Sequence, residues 1–141
     1  AVKDELKNIV GGGRYFDNPE DLLLYSYDAF MVPGLPEAAL LPVSTEEVSR
    51  IMKVASRERI PVTARGAGTN LAGGSVPTRG GIALVFTKMN RILEISKENR
   101  IAVLQPGVIN MEFQKELTKQ GLYYPPDPGS MAVSTIGGNV A

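Results

Sequence analysis

The chain contains neither cysteine nor histidine among its 141 residues. Without cysteine it can form no disulfide and no thiolate site, which suits a reducing cytoplasm. Without histidine it has no imidazole to bind a metal ion or to act as a general base. Candidate functional groups must therefore come from the backbone and from other polar side chains.

The sequence also lacks a net charge and long hydrophobic runs. Lysine plus arginine and aspartate plus glutamate both number 15, so electrostatics give no reason to expect a nucleic-acid partner. The longest apolar runs are too short to cross a bilayer. The first residues, Ala-Val-Lys-Asp-Glu-Leu-Lys, are charged and amphipathic, so we expect no signal peptide there. The length and the hydrophobic content of 43% fit one globular domain.

The most informative stretch is a glycine-rich segment that follows a short apolar run. Residues 60–64 are typical of a strand, and four glycines follow closely at positions 66, 68, 73 and 74. Glycine lets the backbone approach a ligand closely, and successive N–H groups in such turns can bind an anion. Side chains that add donors are those of Arg65, Thr69, Asn70 and Ser75. The segment predicts a cradle for a phosphate or a diphosphate.

Two common phosphate-binding loops do not fit this segment. A Rossmann turn needs a glycine at position 71, where this chain has Leu71, and a helix that starts in the loop. Residues 76–81, Val-Pro-Thr-Arg-Gly-Gly, cannot form that helix. A Walker loop needs Gly-Lys followed by Ser or Thr, which this sequence lacks. An ordinary surface connection stays open as an alternative, because many loops are glycine-rich without binding anything.

Hydrophobic spacing predicts a mixed fold of the α+β or α/β-like class. A helix is expected to end at Gly11, and residues 28–40 form a proline-containing loop. Ser44 and Glu47 form a capping box that begins a second helix. A strand at residues 39–43, this helix and the strand at residues 60–63 make a βαβ crossover with parallel strands. This crossover places the glycines at the carboxyl end of a strand, where open α/β sheets bind ligands.

The second half of the chain predicts a further strand, a hairpin, a helix and a loop. Residues 82–86 form the strand, and residues 92–96 and 101–105 form an antiparallel pair with Asn99 in a left-handed turn position. Asn110 is expected to cap a helix that ends at Gly121.

The loop after this helix, residues 122–135, shows no hydrophobic period. Tyr123 and Tyr124 are expected to cover the core there. Residues 125–130, Pro-Pro-Asp-Pro-Gly-Ser, combine stiff and flexible positions, which fits a chain that wraps a ligand. A surface turn of the same composition is the alternative.

Several motifs occur in an order that identifies a family. They are residues 25–29 (Tyr-Ser-Tyr-Asp-Ala), residues 65–74 with the strands that follow, residues 105–108 (Gln-Pro-Gly-Val), and residues 125–130 leading to residues 134–141. From about residue 20 to its end, the chain resembles the FAD-linked oxidases of the vanillyl-alcohol oxidase superfamily. Within it, the likeness is greatest to the branch of the glycolate oxidase D subunit and D-lactate dehydrogenase. Ordered motifs are far more specific than one glycine loop.

The resemblance implies a PCMH-type FAD-binding domain, with an N-terminal βαβ subdomain followed by the start of a mixed-sheet subdomain. Residues 1–38 would be a helical and loop arm, and residues 39–141 the N-terminal part of the FAD-binding domain. The remainder of that domain and the substrate domain would be absent. We expect the 141 residues alone to bind FAD weakly or not at all, to be inactive, and to self-associate through uncovered apolar surface.

The resemblance also implies which residues contact FAD. They are Arg65, Gly66, Ala67, Gly68, Thr69, Asn70, Gly73, Gly74, Pro106, Gly107, Pro126, Asp127, Gly129, Ser130, Thr135, Ile136, Gly137, Gly138, Asn139 and Ala141. For Arg65 an ion pair, and for Asp127 the capping of its own turn, stay open as alternatives. Many relatives attach the flavin through a histidine where this chain has Asn70, so FAD is expected to be bound non-covalently. Neither a catalytic residue nor a metal site is expected in this chain.

For the intact parent, the resemblance implies oxidation of a small 2-hydroxy acid of the glycolate or D-lactate type, with hydride transfer to FAD. The absent C-terminal domain would bind the substrate. Other oxidase subunits and an iron–sulfur electron acceptor are the implied partners, and the expected location is the cytoplasm, with peripheral membrane association through partners. Two alternatives stay open: an FAD-linked oxidase of a sugar lactone, an alcohol or a cell-wall precursor, and a flavin-free scaffolding subunit of a multi-subunit oxidase.

Overall fold

A computed structural model of the chain describes residues 1–29 and 31–141. The helices are α1 (Val2–Val10), α2 (Pro19–Leu23), α3 (Thr45–Glu58), α4 (Asn110–Lys119) and α5 (Ile136–Val140). The strands are β1 (Tyr15–Phe16), β2 (Ala38–Leu40), β3 (Val62–Arg65), β4 (Ile82–Val85), β5 (Ile92–Ser96) and β6 (Ile101–Leu104). Short 3₁₀ turns occur at Gly12–Arg14 and Phe86–Lys88. Residue 30 in the predicted loop 28–40 lies outside the described residues.

The first four strands form one mixed sheet in the order β1-β2-β4-β3. β2, β4 and β3 are parallel, whereas β1 runs antiparallel to β2. The predicted βαβ crossover is therefore confirmed, with β4 inserted between its two strands. Because parallel strands share one carboxyl edge, the chain leaves β2, β3 and β4 on the same side of the sheet, and the glycines after β3 lie there.

Helix α3 begins with the predicted cap. The Ser44 hydroxyl accepts a hydrogen bond from the Glu47 N–H at 3.2 Å. The Glu47 carboxylate in turn accepts the Val43 N–H at 2.9 Å and two bonds from the Arg14 guanidinium at 2.6 and 2.8 Å. These contacts hold the start of α3 against the segment that leads into β1.

Both faces of the four-stranded sheet are covered, as is usual for parallel strands. Leu40, Ile82 and Leu84 face α1 and α3 in one buried cluster. The alternate residues Ala39, Ala83 and Val85 form a second cluster with α2, through Leu22. The period of two along β2 and β4 thus divides their side chains between two cores.

β5 and β6 form a separate two-stranded antiparallel sheet that is covered on one face. Phe113 and Leu117 of α4 pack against that face together with Ile136. The Tyr124 ring meets the edge of Phe113 at 5.4 Å between centroids, so Tyr124 covers the core as predicted. Tyr123 is 72% exposed, and its predicted place in the core is wrong.

Three local predictions need correction. Arg100, and not Asn99, has the positive φ of 54° in the β5–β6 turn, because the Asn99 side chain instead donates to the Ser96 hydroxyl at 2.9 Å. Asn110 is the first helical residue of α4 rather than its cap, since its side chain is directed into the protein to Pro126. The short strand β1 and the helix α5 did not follow from any sequence pattern. The strand at β2 ends at Leu40 and not at Val43, just before Pro42.

Candidate functional site

The glycine loop, residues 66–75, leaves the carboxyl end of β3 and folds back over Arg65. Gly68 and Gly73 have positive φ angles of 71° and 74°, which glycine adopts readily. A Cβ on Gly68 would overlap the guanidinium of Arg65. Gly68 is therefore required both by its backbone conformation and by the closeness of the loop to the arginine beneath it.

Arg65 supports the loop from inside the protein. Its side chain is 7% exposed, and its guanidinium donates to the carbonyls of Tyr27 at 2.7 Å, Ser75 at 3.4 Å and Leu24 at 3.4 Å. Burial lowers the pKa of Arg65 from its ordinary value. The guanidinium thus links the end of the glycine loop to the segment before β2, a role that the sequence did not predict.

A second buried group, Asp28, holds the loop from the same segment. The Asp28 residue is 2% exposed, and its Oδ2 accepts hydrogen bonds from Gly73 N–H at 2.7 Å and from Asn70 Nδ2 at 3.1 Å. The Asn70 Oδ1 accepts a bond from the Ser75 hydroxyl at 2.6 Å, and Ala29 N–H donates to the Asn70 carbonyl at 3.1 Å. We call Asp28, Asn70, Gly73 and Ser75 the Asp28 network.

The Asp28 network includes Asn70, a side chain that the sequence analysis predicted to contact the ligand. In the structure the Asn70 side-chain amide is hydrogen-bonded to Asp28 and Ser75 within the protein. Sequence reasoning gave no role to Asp28, although it lies in the Tyr-Ser-Tyr-Asp-Ala motif at residues 25–29. An acidic residue inside a motif shared with a family was the signal that could have identified it.

The backbone N–H groups of the glycine loop, unlike the Asn70 side chain, are not hydrogen-bonded to other described residues over most of the loop. The N–H groups of residues 67–72 donate to no other residue in the described part of the chain. These residues are half-buried up to Asn70 and exposed at Leu71 and Ala72. Consecutive unpaired N–H groups in a turn of this kind are donors for an anion.

The C-terminal segment, residues 125–141, meets the glycine loop at Gly66. A Cβ on Gly66 would overlap the Oγ1 of Thr135, so the two segments touch at this point. Thr135 also pairs with Ile109 in a β-bridge and caps α5, where its hydroxyl accepts the Gly138 N–H at 3.4 Å. The two stretches that the sequence assigned to one site are therefore neighbours.

Pro106 and Gly107 join the C-terminal segment to the sheet. Gly137 N–H donates to the Pro106 carbonyl at 2.9 Å, and a Cβ on Gly137 would lie 2.6 Å from the Pro106 side chain. Gly107 N–H donates to the Met89 carbonyl at 2.7 Å, and a Cβ on Gly107 would lie 2.7 Å from the same oxygen. Since Met89 follows β4, these contacts place α5 at the carboxyl edge of the sheet.

Three polar atoms near the C-terminal segment are buried without a hydrogen-bond partner in the described part of the chain: Asn110 Oδ1, Ser134 Oγ and Asn139 Nδ2. Asn110 and Ser134 are adjacent, because Asn110 N–H donates to the Ser134 carbonyl at 2.9 Å. Most buried polar atoms in proteins are hydrogen-bonded, so such atoms point to a bound molecule or water. A polar ligand fits this donor and acceptor set.

The predicted contact residues differ in exposure. Gly66 and Thr135 meet directly, Pro106, Gly107, Ile136 and Gly137 are packed beside them, and Ser130 is half-buried. The exposed members of the set are Gly74, Pro126, Asp127, Gly129, Gly138 and Ala141. Contact of any of these residues with a cofactor stays a prediction.

A hollow of about 330 Å³ lies between β6, α4, residues 122–124 and α5. Its lining is mostly apolar and includes Leu104 and Tyr123, with Ile136 from the C-terminal segment and no residue of the glycine loop. It lacks the convergent polar groups that a diphosphate needs. We therefore place the candidate site at the meeting of the glycine loop and the C-terminal segment, and not in this hollow.

Among the described residues, no group of three or more histidine, cysteine or acidic side chains is arranged to hold a metal ion. Across the same residues, no helix combines the length and the hydropathy of a membrane span.

Comparison with known proteins bears directly on the cofactor. The profile of the FAD binding domain family matches residues 36–141. The chain is 46% identical over 140 residues to glycolate oxidase subunit GlcD of Bacillus subtilis, a match that covers 99% of this chain and 30% of the relative. It is 43% identical over 119 residues to D-lactate dehydrogenase of Anaerostipes hadrus, covering 83% of this chain and 25% of the relative.

A solved structure confirms the fold. The crystal structure of p-cresol methylhydroxylase with substrate bound superposes with a TM-score of 0.86 at 23% identity, covering 99% of this chain and 28% of that protein. The chain thus spans less than a third of the length of the relatives it matches. The mixed fold and the family profile agree with the resemblance seen in the sequence. The chain belongs to the FAD binding domain family, has the PCMH-type fold, and has FAD as its cofactor.

Proposed function

We propose that the chain is the FAD-binding portion of a flavoprotein that oxidises a small 2-hydroxy acid of the glycolate or D-lactate type. The observation that carries the proposal is the contact between Gly66 and Thr135, because it joins the two predicted halves of the site at one edge of the sheet. In open α/β sheets this edge is where ligands bind. FAD supplies the redox chemistry, with its flavin accepting a hydride from the substrate.

In this proposal the glycine loop binds the diphosphate through its backbone. The N–H groups of residues 67–72 are the donors, since they have no acceptor among the described residues. The Asn70 side chain shapes the loop from the inside, as its amide is engaged by Asp28 and Ser75. Charge complementarity comes from amide dipoles and from the buried positive charge of Arg65 beneath the loop.

The C-terminal segment contributes side chains. Ser134 Oγ, Asn139 Nδ2 and the neighbouring Asn110 Oδ1 are the buried atoms that still require hydrogen bonds. A flavin with its ribityl chain carries several donors and acceptors that match such a set. Gly137 permits the close approach of α5 to Pro106, which brings these side chains to the sheet edge.

We propose further that FAD is bound without a covalent link. The sequence contains no histidine and no cysteine, and Asn70 is hydrogen-bonded within the protein. Acid precipitation of the flavin-loaded protein is then expected to release all yellow colour into the supernatant. Flavin that stays with the precipitate would contradict this part of the proposal.

The substrate class is supported by the names of two relatives, a glycolate oxidase subunit and a D-lactate dehydrogenase. Glycolate and D-lactate are both small 2-hydroxy acids. The word subunit in the first name supports a protein that works with other oxidase subunits, and we propose an iron–sulfur protein among them as the electron acceptor. We also propose a cytoplasmic location.

The test uses a polypeptide of the relatives' length that carries this chain. Its visible spectrum is expected to show an oxidised flavin, which glycolate or D-lactate bleaches without oxygen. Bleaching by a sugar lactone or a simple alcohol alone would contradict the substrate class. A colourless protein that stays colourless with added FAD would contradict the flavoprotein itself and favour a scaffolding subunit.

A further inference from the structure

We propose that Asp28 is a positioning residue for the FAD diphosphate, which acts by holding the glycine loop in its binding conformation. The inference rests on the proposed function, and it assigns a role to a residue that lies 42 positions before the Asn70 it contacts. Asp28 itself is buried at 2% exposure beneath the loop. It is therefore not itself a candidate ligand of the diphosphate.

Asp28 determines which N–H groups the loop offers to a ligand. Asp28 Oδ2 accepts the Gly73 N–H at 2.7 Å, which turns this amide inwards. The N–H groups of residues 67–72 have no acceptor in the described part of the chain. Asp28 thus binds the N–H of Gly73, while the N–H groups of residues 67–72 stay available to an anion.

Asp28 also orients the Asn70 side chain. The Asn70 Nδ2 donates to Asp28 Oδ2, and the Asn70 Oδ1 on the other side of the amide accepts the Ser75 hydroxyl. The Asn70 carbonyl also receives the Ala29 N–H at 3.1 Å, one residue after Asp28. One carboxylate therefore fixes a side chain and a backbone position in the middle of the loop.

Electrostatics by themselves do not explain a benefit of Asp28 for diphosphate binding. A carboxylate near a diphosphate repels it, so the charge of Asp28 by itself would weaken binding. The Arg65 guanidinium, which donates to the carbonyl of the preceding Tyr27 at 2.7 Å, places an opposite charge in the same region. The benefit of Asp28 must then come from geometry, because a preformed loop avoids the entropy cost of ordering on binding.

The experiment compares Asp28→Ala, Asp28→Asn and Asp21→Ala in a polypeptide of the relatives' length that carries this chain, with FAD as the ligand. Asp21 lies on α2 outside the loop contacts and serves as the control carboxylate. Loss of the buried charged hydrogen bonds in Asp28→Ala is expected to raise the dissociation constant for FAD by about tenfold to a hundredfold. Asp28→Asn keeps one acceptor and is expected to recover most of the affinity, and Asp21→Ala should equal the wild type.

Amide hydrogen exchange without FAD provides a readout that a general structural role would not give. In Asp28→Ala the Gly73 amide is expected to exchange at least about tenfold faster, while amides of β4 keep their rates. Equal loss of protection in β4 would show a general stabilising role and would overturn the proposal. Unchanged exchange at Gly73, or equal FAD affinity in wild type and Asp28→Ala, would overturn it as well.

The two failures can be told apart. A wild-type polypeptide of the relatives' length that shows the exchange pattern but binds no FAD at any concentration would contradict the proposed function while supporting Asp28 as the residue that holds the loop. A wild-type chain that binds FAD as tightly as its Asp28→Ala variant would support the proposed function and overturn the inference about Asp28.

Discussion

The two halves of the candidate site, the glycine loop and the C-terminal segment, differ in how their polar side chains are hydrogen-bonded. In the glycine loop, Asn70 and Ser75 hydrogen-bond to each other, and Asn70 also binds Asp28. Beside the C-terminal segment, Ser134 Oγ and Asn139 Nδ2 are buried without a partner in the described residues. A buried polar group without a partner costs about 1–3 kcal/mol. The contrast shows that the loop offers backbone to a ligand, whereas the C-terminal segment offers side chains.

The contrast also separates stability from binding. Side chains of the Asp28 network contribute to the folded state before any ligand arrives, so their removal should cost stability first. Unpaired side chains near α5 do not stabilise the free protein and gain their partners on binding.

The largest expected effect comes from Gly107, where the C-terminal segment is joined to the sheet. Gly107→Ala would place a Cβ 2.7 Å from the Met89 carbonyl and closer still to that of Phe86, both of them backbone atoms. Because backbone cannot move aside cheaply, we expect the free energy of unfolding to fall by about 3 kcal/mol, measured by urea denaturation. Gly129→Ala is the control, with nothing within 4 Å of its Cβ, and should change stability little. Equal stability of the two variants would contradict this packing.

Two asparagine variants test the difference between the hydrogen-bonded side chains of the glycine loop and the unpaired side chains of the C-terminal segment. Asn70→Ala removes partners of Asp28 and Ser75 and is expected to lower the free energy of unfolding by about 1–3 kcal/mol without ligand. Asn139→Ala removes a buried, unpaired Nδ2 and is expected to keep or raise stability without ligand, while weakening FAD binding. Denaturation with and without FAD measures both. The comparison fails if Asn139→Ala is the more destabilising of the pair in the free protein.

A smaller effect is expected at the Arg14–Glu47 pair, which lies outside both halves. The hydrogen bond from Arg14 lowers the pKa of Glu47 below its ordinary value of 4.5. Glu47 therefore stabilises the fold above that pH, and its contribution is lost as the pH falls through the lower folded-state pKa. We expect Glu47→Gln to cost about 1 kcal/mol at neutral pH and almost nothing in strong acid, with FAD affinity unchanged. A cost that persists in acid would show that the charge is irrelevant.

Local sequence patterns were enough to predict the secondary structure that positions the site. The capping box at Ser44, the βαβ crossover and the position of the glycines after β3 each depend on residues close in sequence, and the structure confirms them. The contact between residues 66 and 135 was inferred only through family resemblance, since no periodicity links segments so far apart.

Other features depend on tertiary contacts that a local pattern does not contain. Helix α5 includes Gly137 and Gly138, which weaken helix propensity, and it forms because Thr135 caps it and Pro106 packs against it. Arg65 and Asp28 read as ordinary charged residues in the sequence. Their burial and their bonds to the loop appear only once the segment before β2 is folded against β3.

The most direct test of the central claim is a titration with FAD of an isotopically labelled polypeptide of the relatives' length that carries this chain, followed by amide chemical shifts. We predict that shifts of residues 66–72 and of residues 137–139 move together, while those of the β5–β6 turn at residues 97–100 stay fixed. Shift changes confined to the apolar hollow around Leu104 and Tyr123, or to only one of the two segments, would contradict a single site built from both.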